Sequence, residues 1–264
     1  MTSVTASRHG RTEVLRYRNP PDGYMNSEGA KALLAAVKRA AADREVAVIV
    51  IAGEGGVFVR HYDVSELVQV GDALRAGAVT SRQFDHAPFF DLGDQIAAAP
   101  KPVIAAINGV CMGGGFELAL ACDLRVASAD VTEIGLPETK VGIFPGGGGT
   151  QRLPRLIGEA KAMDLILFGR LMDARQAAAC GLVHAVAPDA VAEALRMAEE
   201  LAQKPAGALA AAKRLIRGAV ETRDFAAGLI AERRAFADLL KTEDACLDRL
   251  RRFVAEGERL EAAR

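Results

Sequence analysis

Two carboxylates in this chain stand where proton-transfer chemistry would need them. Glu117 follows three consecutive glycines in the stretch 101–123, KPVIAAINGVCMGGGFELALACD, and Glu138 sits in LPETK further along. Gly113, Gly114 and Gly115 strip one bend of side chains, at a conformational cost of roughly 1 kcal/mol each relative to alanine. That cost is reasonable where the backbone must approach a ligand, and a helix beginning after such a turn aims unpaired N–H groups at a polarised oxygen. The plainer reading is a tight connection, with Glu117 complementing the helix dipole. A second glycine tract, Gly146–Gly149, lies in residues 133–158, EIGLPETKVGIFPGGGGTQRLPRLIG, a stretch too rich in glycine and proline for a regular element. So long an irregular segment inside a compact domain is usually functional.

Several elements are available to position these residues. Val103–Ile107 is short and β-branched, as expected of a strand buried on both faces, and Asn108-Gly109 supplies turn chemistry. Glu13–Arg18 predicts a first strand, ended by Asn19-Pro20-Pro21-Asp22-Gly23, and Val46–Ile51 a further buried strand. A helix is predicted to begin near Asn26 or Ser27, with Leu33, Leu34 and Val37 between Lys31, Lys38 and Arg39, and Ser65-Glu66-Leu67 suits the opening of another. The region from about Val70 to Gln95 has no clear period; Phe84, Phe89 and Phe90 within it read as core or as a covering flap. A helix carrying Glu117 and a strand at Leu124–Ala127 follow. Recurring strand-turn-helix units predict a parallel or mixed α/β architecture. Beyond residue 158 the pattern is helical: Lys161–Phe168, Ala174–Ala179 stopped by Gly181, Val191–Gln203, Ala206–Val220 and Phe225–Leu240.

The 264 residues allow one large domain or a domain with an appendage, and the formal charge of −1 gives no support to a nucleic-acid surface or a polybasic membrane patch. Cys111, Cys122, Cys180 and Cys246 show no zinc-ligand spacing, and no metal site is expected; three of them lie in apolar surroundings, as free thiols of a reducing compartment would. Neither a signal-peptide core nor a bilayer-length apolar run is apparent, so the expectation is a cytoplasmic protein without a membrane partner.

With these motifs in order, the chain resembles the crotonase, or enoyl-CoA hydratase/isomerase, superfamily; KPVIAAINGVCMGGGFELALACD and LPETKVGIFPGGGGTQRLPRLIG carry the likeness. The resemblance implies an α/β fold: a crotonase-like spiral of ββα units with a C-terminal helical region. It implies a core with the acyl-CoA site over residues 1–200, and helices over 201–264 for oligomerisation, as homotrimer or dimer of trimers, and for active-site cover. The substrate implied is a coenzyme A thioester, with no separate cofactor and no nucleic acid. An oxyanion hole is implied at the backbone N–H groups of Tyr62 and Gly114, with Glu117 activating water and Glu138 protonating the α-carbon. Gly146 is expected to help hold the water, and His61, Asp63 and Gly113 are substrate-binding candidates. The activity implied is hydration of a 2-enoyl-CoA. The alternatives are another crotonase-type reaction (double-bond isomerisation, hydrolysis or decarboxylation) and a non-catalytic RNA-binding relative.

The chain also departs from the family. Arg60-His61-Tyr62-Asp63 stands where A-G-A-D is common, so three bulky side chains are expected to narrow the acyl entrance, redirect the pantetheine arm or add a titratable histidine. Asp22-Gly23-Tyr24-Met25 lacks the lysine that many hydratases carry near the nucleotide, and the tail TEDACLDRLRRFVAEGERLEAAR lacks a lysine-rich ending.

Overall fold

A computed structural model describes residues 1–222 and 224–256. Its backbone repeats one step: a strand joins a large sheet, the next joins a small sheet, and helix returns the chain. The chain opens with an antiparallel hairpin of β1 (Ser3–His9) and β2 (Thr12–Arg18), followed by α1 (Ser27–Ala42). β3 (Val48–Gly53) enters the large sheet and β4 (Val57–Val59) the small one, before α2 (Val64–Arg75), α3 (Ser81–Phe84) and α4 (Pro88–Ala98). β5 (Val103–Ile107) and β6 (Val110–Met112) divide in the same way and lead into α5 (Gly114–Ala121). β7 (Leu124–Ser128) and β8 (Ile134–Gly135) do so again, followed by a 3-10 turn at Glu138–Val141, α6 (Gly149–Ile157) and α7 (Glu159–Leu167). β9 (Leu171–Met172), α8 (Ala174–Ala179), β10 (Ala185–Ala187) and α9 (Ala190–Ala202) come next.

The large sheet is ordered β1-β2-β3-β5-β7-β10 and is parallel from β2 onward; the small one is β4-β6-β8-β9, with β9 antiparallel to β8. β5 lies between β3 and β7, and all five of its residues are fully buried, which is why its sequence is an unbroken apolar run. At its end Asn108 pairs with both backbone polar groups of Gly53, accepting from the N–H at 2.9 Å and donating to the carbonyl at 2.9 Å, so the side chain completes the sheet where the strand stops. Buried Arg125 donates to the carbonyls of Ala119 and Cys122 at the C-terminal end of α5 and to Leu182 O at 2.7 Å. It satisfies orphan carbonyls there and places positive charge at the negative end of the α5 dipole.

The contacts divide the chain into two compact units, Met1–Leu201 and a second beginning at Ala202. Described by itself, the second holds α10 (Ala206–Thr222), α11 (Phe225–Thr242) and α12 (Asp244–Glu256). The end of the tail that lacks a lysine-rich ending, residues 257–264, lies outside the described residues. The four cysteines are free thiols, three of them buried and Cys180 partly so. Among the described residues no helix is long and apolar enough to cross a membrane.

One expectation is corrected. Residues 133–158 are not irregular throughout: they contain β8, the 3-10 turn and the nine-residue α6, which starts inside the glycine tract and runs through Pro154. β1 also appears where no strand was expected, because as an edge strand it exposes most of a polar sequence and has no alternating core face.

Candidate active site

The site forms where the three parallel strands of the small sheet end together. β4 runs into Arg60–Asp63, β6 into Gly113, and β8 into Leu136–Glu138. The Met112 N–H donates to Arg60 O at 2.9 Å and the Gly113 N–H to Gly135 O at 2.8 Å, tying the three strand ends to one another. Carboxyl ends of parallel strands are where open sheets place their ligands.

Two backbone amides lie side by side there. Gly114 is the first residue of α5, and a first-turn N–H has no acceptor inside its own helix. Gly113, at φ 52°, makes the sharp entry to this helix. Gly115 lets α5 approach β4, because a Cβ there would overlap the Val59 carbonyl. A Cβ on Gly114 would lie 3.2 Å from Tyr62 N, so the Tyr62 amide is its immediate neighbour. Among the described residues the Tyr62 N–H has no hydrogen-bond acceptor.

The two glutamates are treated differently. Glu117, in the first turn of α5, is only 4 % exposed, and its Oε1 accepts from the Gly147 N–H at 2.7 Å and the Gly149 N–H at 2.8 Å. Burial raises its pKa, while these two amides and the positive charge of Arg152 act against the rise. Arg152 also donates to Gly147 O at 2.8 Å and so holds the loop that holds Glu117. Glu138 opens the 3-10 turn, and both of its carboxyl oxygens are buried without a partner among the described residues. A Cβ on Gly113 would lie 3.3 Å from Glu138 Oε1, which puts this carboxyl beside the glycine bend. Burial pushes its pKa up to about 7; its own backbone amide opposes the shift and the charge of Glu117 adds to it.

The remaining candidates are placed as follows. His61 lies over the glycine bend, its Cβ 3.0 Å from where a Gly113 Cβ would be; its Nδ1 is 2.7 Å from Tyr62 O and its ring packs on Tyr24 at 4.6 Å. Asp63 caps α2, its carboxylate accepting from the Ser65 N–H at 2.8 Å and from the Ser65 hydroxyl. Gly146 is exposed, and its amide is not among those on Glu117. The bulky departures all have partners: Arg60 Nε donates to Asp22 O, and the Tyr62 hydroxyl lies between Ser27 and Glu66. Phe89 is buried in the core, its ring centroid 5.4 Å from that of Tyr62 and its ring close to both Gly114 and Gly147.

Sequence reasoning missed Gly147, Gly149 and Arg152. The glycine tract signalled that backbone matters there, but identical residues carry no mark of which amide points inward, and Arg152 had no signal of its own. Together the residues can stabilise negative charge on an oxygen at the two amides, accept a proton at a fixed carboxylate, and exchange a proton near neutrality at a second carboxyl.

The chain belongs to the enoyl-CoA hydratase/isomerase family, whose model matches residues 14–258. It is 42% identical over 245 residues to a probable enoyl-CoA hydratase of Rhizobium meliloti, covering 92% of this chain and 91% of that one. A probable enoyl-CoA hydratase of Mycobacterium bovis is 38% identical over 245 residues, with the same two coverages of 92% and 91%. Among solved structures, an enoyl-CoA hydratase from Polaromonas superposes with a TM-score of 0.87 at 31% identity, over 96% of this chain and 97% of that one. A crotonase-type α/β fold is thereby shown.

Proposed function

We propose that this protein adds water across the 2,3 double bond of a 2-enoyl-CoA thioester. The observation that carries the reading is the unequal pair of carboxyls beside one glycine bend: Glu117 fixed by two amides, Glu138 buried without a partner and raised to about 7. The names of the relatives support the same chemistry.

In this reading the thioester oxygen sits between the Tyr62 and Gly114 N–H groups. Glu117, ionised, takes a proton from water as the water oxygen bonds to C3. The π electrons of the double bond move toward the thioester oxygen, and the two amides stabilise the enolate charge that builds there. Glu138, protonated, then gives its proton to C2 as the carbonyl re-forms. Glu117 has gained one proton and Glu138 has lost one, so exchange with solvent resets the pair. Coenzyme A enters as part of the substrate, and no separate cofactor is required by these steps. His61 and Gly113 border the bend on which the thioester would lie.

The assembly we infer is a homotrimer or a dimer of trimers, in keeping with exposed apolar side chains in each unit: Phe144, Leu167 and Phe168 in the first, Ile216, Ile230 and Phe236 in the second.

The test is steady-state hydration of crotonyl-CoA and longer 2-enoyl-CoAs. Glu117→Gln and Glu138→Gln are each expected to lower kcat by about 10² to 10⁴. Absence of hydration by the wild type, or full rates from both variants, would overturn the proposal. A shifted double bond without uptake of labelled solvent oxygen would assign isomerisation instead.

A further inference from the structure

Tyr62 stands where the family commonly has a small residue, so its ring has to be placed somewhere, and the structure places it with care. The hydroxyl donates to Glu66 Oε2 at 2.9 Å and lies 3.1 Å from Ser27 Oγ; the same Glu66 oxygen accepts from the Ser27 N–H at 2.8 Å. Ser27 is the first residue of α1, so the phenol and the helix start share one carboxylate. The ring also packs against Phe89, centroids 5.4 Å apart at 65°, and Phe89 itself lies beside Gly114.

The backbone of the same residue is tied to the same place. Met25 donates from its N–H to His61 O at 2.8 Å and accepts at its carbonyl from the Asp63 N–H at 2.7 Å. In a planar trans peptide the C=O and N–H point in opposite directions, so the bond to His61 O turns the Tyr62 N–H away from Met25 and toward Gly114. These two bonds hold the 61–62 and 62–63 peptides against Met25. The tether through Glu66 and Ser27 holds the same residue from the side-chain end.

We propose that Tyr62 is a positioning residue through its side chain: the phenol, held by Glu66 and Ser27 at the start of α1, aims the residue's own N–H at the oxygen bound beside Gly114. Glu66 is then a positioning residue that never touches substrate. The inference rests on the reading above that these two amides receive the thioester oxygen.

The experiment measures polarisation of the thioester carbonyl directly, without requiring turnover. A conjugated push–pull thioester such as 4-dimethylaminocinnamoyl-CoA absorbs at longer wavelength when its carbonyl is polarised. Its spectrum and affinity are recorded with wild type, Tyr62→Phe, Glu66→Ala and Glu66→Gln, alongside the kcat and KM of enoyl-CoA hydration. The wild type is expected to shift the band to the red. Tyr62→Phe and Glu66→Ala should each lose most of the shift and lower kcat by about 10- to 100-fold, with KM changing less. The Glu66→Gln amide oxygen still accepts from both donors and should restore most of the shift. A wild-type shift that all three variants keep, even if their melting temperatures fall, overturns the positioning role alone. No shift with wild type at saturating ligand overturns the oxyanion reading itself, and this inference with it.

Discussion

Glu138 carries one displacement that acts on both activity and stability. Its carboxyl titrates near 4.5 ordinarily and near 7 in the folded protein, chiefly because burial disfavours the charged form. Hydration requires the protonated form, so kcat/KM is expected to fall as pH rises through about 7, and Glu138→Gln should remove that limb from whatever activity remains. Between its two titration points the folded state holds a proton that the unfolded chain has released. Stability therefore declines as pH rises from the ordinary value to about 7 and levels off above it. Glutamine cannot ionise, so the melting temperature of Glu138→Gln should exceed that of wild type by more near pH ~8 than near pH ~4.5. An equal difference at both would show that this carboxyl is not the group responsible. The cradle of Glu117 gives a second expectation. A Cβ on Gly147 would lie 2.7 Å from Glu117 Oε2 and 2.5 Å from the Phe89 ring, so Gly147→Ala should lower kcat by about 10² with its circular dichroism spectrum preserved. A variant with unchanged kcat would show that the tract is not the support for Glu117.

Among the elements, α2 separates a structural carboxylate from a functional one. Asp63 accepts from the Ser65 N–H as an N-cap, and its pKa is lowered first by the hydrogen bond from the Ser65 hydroxyl. Asn caps about as well as Asp, so Asp63→Asn should leave stability and KM nearly unchanged, whereas Asp63→Ala should cost about 1 kcal/mol. A large rise in KM for Asp63→Asn, measured with any acyl-CoA the enzyme turns over, would return Asp63 to the substrate. The same element shows where sequence was readable and where it was not. β5 was legible to the residue because it is buried on both faces, and the start of α1 was legible because Asn26 is a cap side chain accepting from the Gly29 N–H. α2 was readable only at its opening: Leu67, Val70 and Leu74 lie at helical spacing but are only partly buried, and none of its residues is fully buried. α6 was hidden by glycines at its start and a proline inside it, both of which oppose helix locally and are overridden by packing of residues such as Leu153. The Gly113–Glu117 half of the site was visible as a motif. The grip on Glu117 was not, because the four glycines are told apart only by backbone angles, with Gly148 at φ 107° reversing the chain between the two amides that point inward.

For the molecule as a whole, the segment that supplies Glu138 continues directly into apolar surface. Val141, at the end of the 3-10 turn, and Ile143 and Phe144 just after it are exposed, as are Leu167 and Phe168 at the end of α7. The Thr139 hydroxyl donates to Ile166 O at 2.9 Å, joining the two groups. Large exposed apolar patches are where proteins commonly meet partners, and these side chains are the candidates for the assembly proposed above. If copies of the chain meet here, assembly presses on the turn that buries the Glu138 carboxyl. The native mass, measured by light scattering during size exclusion at micromolar concentration, is expected to equal three or six chains. Phe144→Glu combined with Leu167→Lys should shift the mass toward the single chain. The single chain already buries the Glu138 carboxyl and raises its pKa to about 7, so the fall of kcat/KM with pH should stay near pH ~7 in the dissociated variant. A wild type that runs as a monomer would remove the proposed assembly. A dissociated variant whose profile moves to lower pH would show that assembly, and not the chain's own packing, keeps the acid buried.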